Sequence, residues 1–506
     1  MKQIKSIIFL LLIPIVGLCQ VQDLAKLSKG ELFFRSTVFD NDAALFGYFY
    51  IYKLDDIDKS SAKYEYILLD KNLNPTFNIE YIDKLHDKIG RKFIDVEFMG
   101  DRLSLSSTFI GKRGLVHSEM FNSVQIVSLK DKKIEEEFFF DGEKLLPIPT
   151  SFDEIHDSYG KLKDRQYGRI YGRSYQNFFG YFVMSGDTSV MMFNDKKELL
   201  WKHEYNDFNN KVFYNPYRRA YFSLRLLKDN FAVGVEVNGD TRKKKYYKKI
   251  KAFCLNSEDD SFEYLMQDGE SEYNVLIYTI NKPNQNFYVY GAYSKNNSER
   301  STSLSSSYGF YRSIINTQGE EVDRQYFKWE DMGEDIKIDR YGRLKGGYHL
   351  DIKNLFTFAD GSCAVLFEKF KVGAKIMGVG GNANTSDMVL VQFDKDFKYK
   401  KLHVIEKRKT RSYYYTSDYL FSQFLNDEKD VVFFFEDYTK NEETKKKEWI
   451  LGINKIINGE YSYEEIPMSS DDFERSVMPA KEGYILIQEH NEEEKTSEIR
   501  LERLNL

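Results

Sequence analysis

Along most of this chain an apolar run, a polar turn of two to four residues and a second apolar run follow one another, and the unit recurs about every sixty residues. The turns begin near Asp70, Lys130, Asn194, Asn256, Asn316, Asp394 and Asn454. An eighth copy, Ser497 to Leu504, ends the chain without a following run. Upstream of each lies another hairpin, whose second run is alike between copies: LFGYFYIY (45–52), NFFGYFVM (177–184), NFAVGVEV (230–237), NFYVYGAY (286–293), CAVLFEKF (363–370) and VVFFFEDY (431–438). These runs are entered through Met99-Gly100-Asp101, Lys228-Asp229-Asn230, Ala359-Asp360-Gly361 and Lys481-Glu482-Gly483, residues that tight turns require.

Each unit therefore reads as four strands, A to D, in an up-and-down meander. Near-continuous Phe, Tyr and Val, rather than clean alternation, means sheets covered on both faces. A four-stranded module repeated at this period is the pattern of a propeller blade. The expected fold is all-β: a β-propeller of about eight (seven to eight) four-stranded blades. The last copy lacks strand D, and Val21 to Leu27 is expected to supply it and close the ring, removing an open sheet edge. An open β-rich array or two packed β domains is the competing architecture.

The composition agrees. Phe 40, Tyr 37 and Trp 3 among 506 residues fill the wedges between diverging sheets and exclude a disordered chain. Cys254 and Cys363 both lie within strand-like runs, where small apolar core residues are expected rather than a disulfide framework.

The start of the chain reads as an address. Lys2 and Lys5 precede an apolar run from Ile7 to Leu18, and Gly17 and Cys19 stand at the small-residue positions before Gln20. Residues 1–19 are expected to be a signal peptide and 20–506 a single propeller domain. A lipid anchor on Cys19 is disfavoured by Leu18 before it, and no later stretch is long and apolar enough for a transmembrane segment. The expected location is exported: periplasmic, outer-surface or secreted. Without the two leader lysines, 71 basic residues face 79 acidic ones, a balance with no general attraction to nucleic acid.

Over nearly all of the expected mature chain the pattern resembles the β-propeller repeat proteins. It lacks the signatures of their named classes. There is no repeated Trp-Asp ending, no SxDxGxTW box and no repeated YWTD, and Gly346-Gly347-Tyr348, which looks like part of a kelch blade, does not recur.

In such a meander the A–B and C–D turns share one end of every blade, and the B–C and D–A loops share the other. The first set is tight. The second is long, as at Leu54 to Ala62, Gly111 to Asn122, Asn296 to Ser307 and Val372 to Asp387, so binding is expected at that end. The D–A connections carry the most suggestive chemistry. Tyr-Gly-Arg occurs three times, within Arg165, Tyr167, Arg169, Tyr171 and Arg173 and again at Tyr341 and Arg343. Tyr217 and Arg218 follow, then Arg408, Arg411 and Tyr413. Guanidinium forks grip carboxylate, sulfate or phosphate at two points, and tyrosine adds a flat face with a polar tip. These twelve residues are the expected ligand contacts. The bland alternative is arginine stacked on tyrosine to order a surface loop, or a triplet that simply begins strand A.

Other chemistry is scarce. The seven histidines form no zinc spacing, and no nucleophile elbow or Walker loop is present, so no metal and no cofactor are expected. Gly378-Val379-Gly380-Gly381-Asn382 lacks the following helix that a phosphate cradle needs. Lys243 to Lys249 and Lys445 to Lys447 read as solvated hairpin ends. Asp40-Asn41-Asp42 and Asp394-Lys395-Asp396 read as turns. Asp153, Glu154, Glu330, Asp331, Glu334, Asp335 and Asp418 are the acids available for a carboxylate pair, with none singled out as catalytic. The leading expectation is an exported propeller binding a glycan or protein partner, an anionic glycan or acidic peptide, on its loop end, and not an enzyme. A propeller glycan hydrolase or lyase is the alternative, and a structural subunit of an envelope assembly the third.

Overall fold

A computed structural model describes residues 21–23, 27–40, 44–58, 61–83, 89–113, 116–148, 168–175, 178–185, 189–205, 218–240, 245–265, 273–295, 307–372, 383–412, 418–440, 447–468, 474–491 and 496–506. Residues 1–20, where a signal peptide is expected, Arg165, Tyr167, Tyr217, Tyr413, Asp153, Glu154 and the glycine-rich 378–382 segment lie outside the described residues.

Eight antiparallel sheets form, each in the order A-B-C-D. Blade 1 is Glu31–Phe39, Leu45–Asp58, Ser61–Asp70 and Pro75–Asp83. Blade 2 is Ile89–Met99, Arg102–Arg113, Val116–Ser128 and Lys133–Phe140. Blade 3 is Gly168–Tyr175, Phe178–Ser185, Ser189–Asn194 and Leu199–Glu204. Blade 4 is Arg218–Lys228, Phe231–Asp240, Lys245–Cys254 and Ser257–Leu265. Blade 5 is Tyr273–Asn281, Phe287–Lys295, Gly309–Ile315 and Glu321–Lys328. Blade 6 is Tyr348–Thr357, Cys363–Val372, Ala383–Phe393 and Tyr399–Ile405. Blade 7 is Tyr419–Leu425, Asp430–Lys440, Lys447–Ile457 and Glu460–Pro467. Blade 8 takes Glu474–Pro479, Tyr484–Asn491 and Thr496–Arg503 from the end of the chain. Its fourth strand is Val21–Asp23, paired antiparallel to Glu498–Arg500. The ring is thus closed by the chain's N-terminal strand, an eight-bladed β-propeller.

The packing shows why the sequence reads as it does. The described core divides into eight clusters, and each straddles one blade boundary. Phe49, Tyr66 and Leu103 join blades 1 and 2, for example, and Tyr50, Leu486 and Ile499 join blades 8 and 1. Strand B is covered on both faces: Tyr48 to Tyr52 and Val431 to Phe435 are all buried. Strand D lies outermost and alternates, as in Glu460–Pro467. Aromatic rings fill the wedges, with Phe393 stacked on Phe397 at 4.6 Å and Phe327 edge-on to Phe393 at 5.0 Å between blades 5 and 6. Cys254 and Cys363 are buried in different blades and are not bonded to each other.

The tight turns share one mechanism. At 70–74, 194–198, 316–320 and 394–398 an Asp or Asn side chain accepts the backbone N–H groups two and four residues on, and the fourth residue has positive φ. Asp394 is therefore a turn anchor, not a cation ligand. Three details differ from the sequence reading. The blade 7 turn is Asn458-Gly459, not Asn454, because strand C runs on to Ile457. Leu54 to Ala62 and Gly111 to Asn122 are largely strand: strand B of blade 1 ends at Asp58 and strand C begins at Ser61, and in blade 2 the corresponding bounds are Arg113 and Val116. The third concerns Tyr-Gly-Arg. Gly168 to Tyr175 is strand A of blade 3, not a connection. Gly172 is needed there, since a Cβ would lie 2.6 Å from Met99 Sδ and Ser104 of blade 2.

Candidate functional site

The A strands form the inner ring and are stitched to one another by side chains. Arg35 donates to Ser476 at 3.0 Å between blades 1 and 8, Arg173 to Glu97 at 2.9 Å between blades 3 and 2, and Asn281 to Thr357 at 2.9 Å between blades 5 and 6. Every A strand begins at the end bearing the B–C and D–A connections. That topology places Arg169, second in strand A of blade 3, and Arg218, first in strand A of blade 4, at the loop-end mouth of the ring. Arg169 is exposed.

Blade 6 adds a further element to the same end. Arg343–Leu344 pairs with Tyr348 and His349 on the free, inner edge of strand A. Before it, Asp339 makes the same turn as the C–D hairpins: its carboxylate accepts the N–H groups of Tyr341 at 2.8 Å and Arg343 at 2.9 Å, with Gly342 at φ 76°. The Tyr-Gly-Arg at 341–343 is thus built as a turn. Its side chains are nonetheless gathered. Arg340 stacks over the Tyr341 ring at 4.8 Å, Arg343 approaches it at 5.8 Å, and the Tyr308 ring lies 5.7 Å away. Lys371 approaches the Tyr348 ring at 5.9 Å and donates to Gly346 O at 2.7 Å. Asp339 Oδ1 accepts the backbone N–H groups of both Tyr341 and Arg343, and neither exposed guanidinium forms an ion pair with a carboxylate among the described residues. Burial, reinforced by the Arg343 charge, holds the His349 imidazole below its usual pKa. The result is an aromatic seat carrying two exposed guanidinium forks.

The remaining predicted contacts scatter. Tyr171 packs its ring 6.3 Å from Phe182 in the core of blade 3. Arg173 lies near the tight-turn end of its strand and is engaged by Glu97. Arg411 lies in a short strand, Thr410–Ser412, paired with strand C of blade 6. Arg408 is exposed at the loop end, with its backbone N–H held by Asp437 at 3.0 and 3.2 Å. The sequence reading missed Arg340 and Tyr308. The first stands directly before the Tyr-Gly-Arg triplet; nothing local marked the second, which is contributed by the neighbouring blade.

Of the acids held open for catalysis, Asp418 binds Lys407, and Asp335 accepts from Tyr399 on the outermost strand. Sequence reasoning did not see the network around Asp418. Glu368, fully buried, lies 2.9 Å from Lys407 and 3.1 Å from Lys353, and Lys353 also meets Asp351 at 3.0 Å. A second buried network joins blades 1 and 2, where Arg91 lies 3.3 Å from Asp83 and 2.5 Å from Glu137. Among the described residues no three His, Cys, Asp or Glu side chains gather as metal ligands, and no helix is long and apolar enough to cross a membrane.

The other mouth is different. Lys228, at the end of strand A of blade 4, lies 3.8 Å from Glu428 in the A–B turn of blade 7. That turn carries three successive residues at positive φ, Asn426, Asp427 and Glu428. The pair joins two blades that are not neighbours, so it crosses the tight-turn end of the ring.

Residues 140–505 match the family described as "Family of unknown function (DUF6770)". No curated protein matches the chain. Among solved structures, the WD40 domain of SCAP from fission yeast is 5% identical, covering 95% of this chain and 94% of its own, with a TM-score of 0.38. The polysaccharide lyase Uly1 is 7% identical over 81% of this chain and 89% of its own, with a TM-score of 0.39. The β-propeller domain of the Trilobed protease from Pyrococcus furiosus is 9% identical over 87% and 96%, with a TM-score of 0.35. These likenesses are distant, and the fold stands on the strand pairing above.

Proposed function

This chain belongs to the DUF6770 family, and from that premise we propose that it is an exported binding propeller that holds an anionic glycan on the loop end of its ring. One observation carries the reading: Arg340 lies over the Tyr341 ring at 4.8 Å and Arg343 at 5.8 Å, with no carboxylate ion-pair partner among the described residues. A guanidinium stacked by its face keeps its N–H edge available for two-point contact with a carboxylate or sulfate. Arg169 and Arg408 extend positive charge along the same end. The rings of Tyr308, Tyr341 and Tyr348 favour a sugar over a peptide, because a flat apolar face with a polar rim suits a pyranose. Export rests on the basic and apolar start of the chain.

Binding is favoured over hydrolysis or elimination because three acids at the blade 6–7 crossover are already engaged. Glu368 and Asp418 are bound by lysines and Asp437 by the Arg408 backbone. The test is retention on immobilised polygalacturonate and on heparin-derived chains. Substituting Arg169, Arg340 and Arg343 together by alanine is expected to lower affinity by about a hundredfold, several charge-assisted contacts being lost at once. Retention unchanged in that variant, with its circular dichroism intact, removes these residues from the site.

A further inference from the structure

Resting on the reading just given, we propose that the inner wall of the ring is a second binding surface, which takes an acyl group carried by the anionic glycan. The ligand is then an amphipathic anion, with its charge at the loop-end arginines and its apolar part against Phe33, Ile94 and Leu420.

The first support is a repeated irregularity. In six blades strand A holds one residue more than the stretch of strand B it pairs with. The additional residues are Phe33, Ile94, Arg225, Tyr278, Lys353 and Leu420, in blades 1, 2, 4, 5, 6 and 7. The inner strands of blades 3 and 8 pair without such a step. A bulge leaves its extra residue unpaired and re-aims it, and bulges gather beside binding and active sites. Strand A gives one edge to strand B and both faces to neighbouring blades. A side chain exposed within it therefore faces the central channel or its mouth.

The second support is what these residues are. Two turn into the blades: the Tyr278 ring lies 6.5 Å from Phe310, and Lys353 binds Asp351 and Glu368. Phe33, Ile94 and Leu420 stay 40%, 55% and 40% exposed. They belong to blades 1, 2 and 7, so they share one side of the closed ring. Phe33 and Ile94 stand on adjacent inner strands, with the Phe33 ring edge-on to Phe93 at 6.1 Å. Exposed apolar residues on the outermost strands, such as Val322 and Val404, occupy no such repeated position. The cations lie on other blades: Arg225 of blade 4 is exposed, as are Arg169 and Arg343 at the loop-end mouth. An apolar arc facing arginines complements a molecule that is apolar in one part and anionic in another, and not a wholly polar sugar.

The third support is the far end. Lys228 and Glu428 meet at 3.8 Å across the tight-turn end, and Ala359 N–H donates to Glu428 O at 3.0 Å. The ring is crossed there, so an apolar group entering past the arginines comes to rest against the wall.

The experiment titrates galacturonic acid, octyl galacturonide and octyl glucoside into the full chain by calorimetry, below the micelle concentration of the octyl compounds. Octyl galacturonide is expected to bind about tenfold tighter than galacturonic acid, as burial of part of its alkyl chain requires. Phe33→Ser, Ile94→Ser and Leu420→Ser should each cut that advantage about threefold and leave galacturonic acid unchanged, with circular dichroism intact. Ile94→Leu keeps the apolar volume and should preserve the advantage, as should Val322→Ser and Val404→Ser on the outermost strands. Polygalacturonate retention without an octyl advantage overturns the inner-wall site and leaves the proposed function standing. An octyl advantage lost equally in the outer-strand variants overturns the site as well. Octyl glucoside bound as tightly as octyl galacturonide overturns the assignment of an amphipathic anion. Absence of polygalacturonate retention defeats the proposed function, and with it the glycan named here.

Discussion

Glu97 shows what a single residue of the inner ring contributes. It stands on strand A of blade 2, facing Arg173 of blade 3 at 2.9 Å. Burial raises its carboxyl from 4.5 to about 7; Arg173 opposes that shift and Asp95, two residues earlier, adds to it. Desolvation outweighs the ion pair because the guanidinium neutralises one oxygen only, while the other lies buried without a hydrogen bond among the described residues. The sign follows. The folded chain binds this proton more tightly than the unfolded chain, so the carboxyl's contribution to stability is greatest below about pH 4.5 and declines until about pH 7. The span corresponds to roughly 3 kcal/mol. Glu97→Gln should therefore melt above the wild type at pH 8, with the advantage shrinking towards pH 4. A melting-temperature difference that stays constant across that range excludes titration of Glu97 in this window.

At the scale of elements, the connection from blade 6 to blade 7 is where charge becomes structure. Lys407 follows strand D, and its ammonium is shared by Glu368 of strand B and Asp418 at the head of the next blade. Both the Lys407 and Glu368 side chains are fully buried, so neither can be stranded cheaply. Removing the cation with Lys407→Met should cost about 3 kcal/mol in urea unfolding, and Glu368→Gln on that background should restore part of it, because the amide needs no counter-charge. A loss below about 1 kcal/mol for the single variant shows that Lys353 alone suffices for Glu368.

The strands themselves were plain in the sequence, since runs such as Val431 to Phe435 must be covered on both faces and only a stacked sheet does that. What misled was local likeness without tertiary context. Tyr-Gly-Arg at 167–169 and 171–173 resembles the triplet at 341–343. Gly172, however, serves a close approach to Met99 and Ser104, a contact from the previous blade, whereas Gly342 serves a turn. The Tyr308–Tyr341 pair and the Glu368–Lys407 pair stayed hidden for the same reason: each joins residues from different strands, which a one-dimensional period does not bring together.

The molecule as a whole is a ring whose eight inter-blade cores depend on closure, and closure is made by a strand of only three residues. Val21–Asp23 covers the outer edge of blade 8 through three residues facing Arg500, Ile499 and Glu498. The blade 8–1 core behind it buries Tyr48, Tyr50 and Tyr52 against Leu486 and Ile499, and Arg35 donates to Ser476 at the inner edge. The other seven blades draw their strands from one stretch of chain, so no other blade is held together only by non-covalent pairing of the two ends. Every blade boundary, 8–1 included, is crossed by a D–A connection of the chain, here between Asp23 and Glu31; the covalent gap lies within blade 8, between Thr496–Arg503 and Val21–Asp23. Opening should begin there. Deleting Val21–Asp23 is expected to remove about 2–3 kcal/mol, from the lost strand hydrogen bonds and the newly exposed edge. Amide exchange should speed up first in Tyr484–Asn491, Thr496–Arg503 and Leu45–Asp58, with blades 4 and 5 protected until global unfolding. Uniform acceleration around all eight blades places the weak point elsewhere and makes the N-terminal strand one edge among equals.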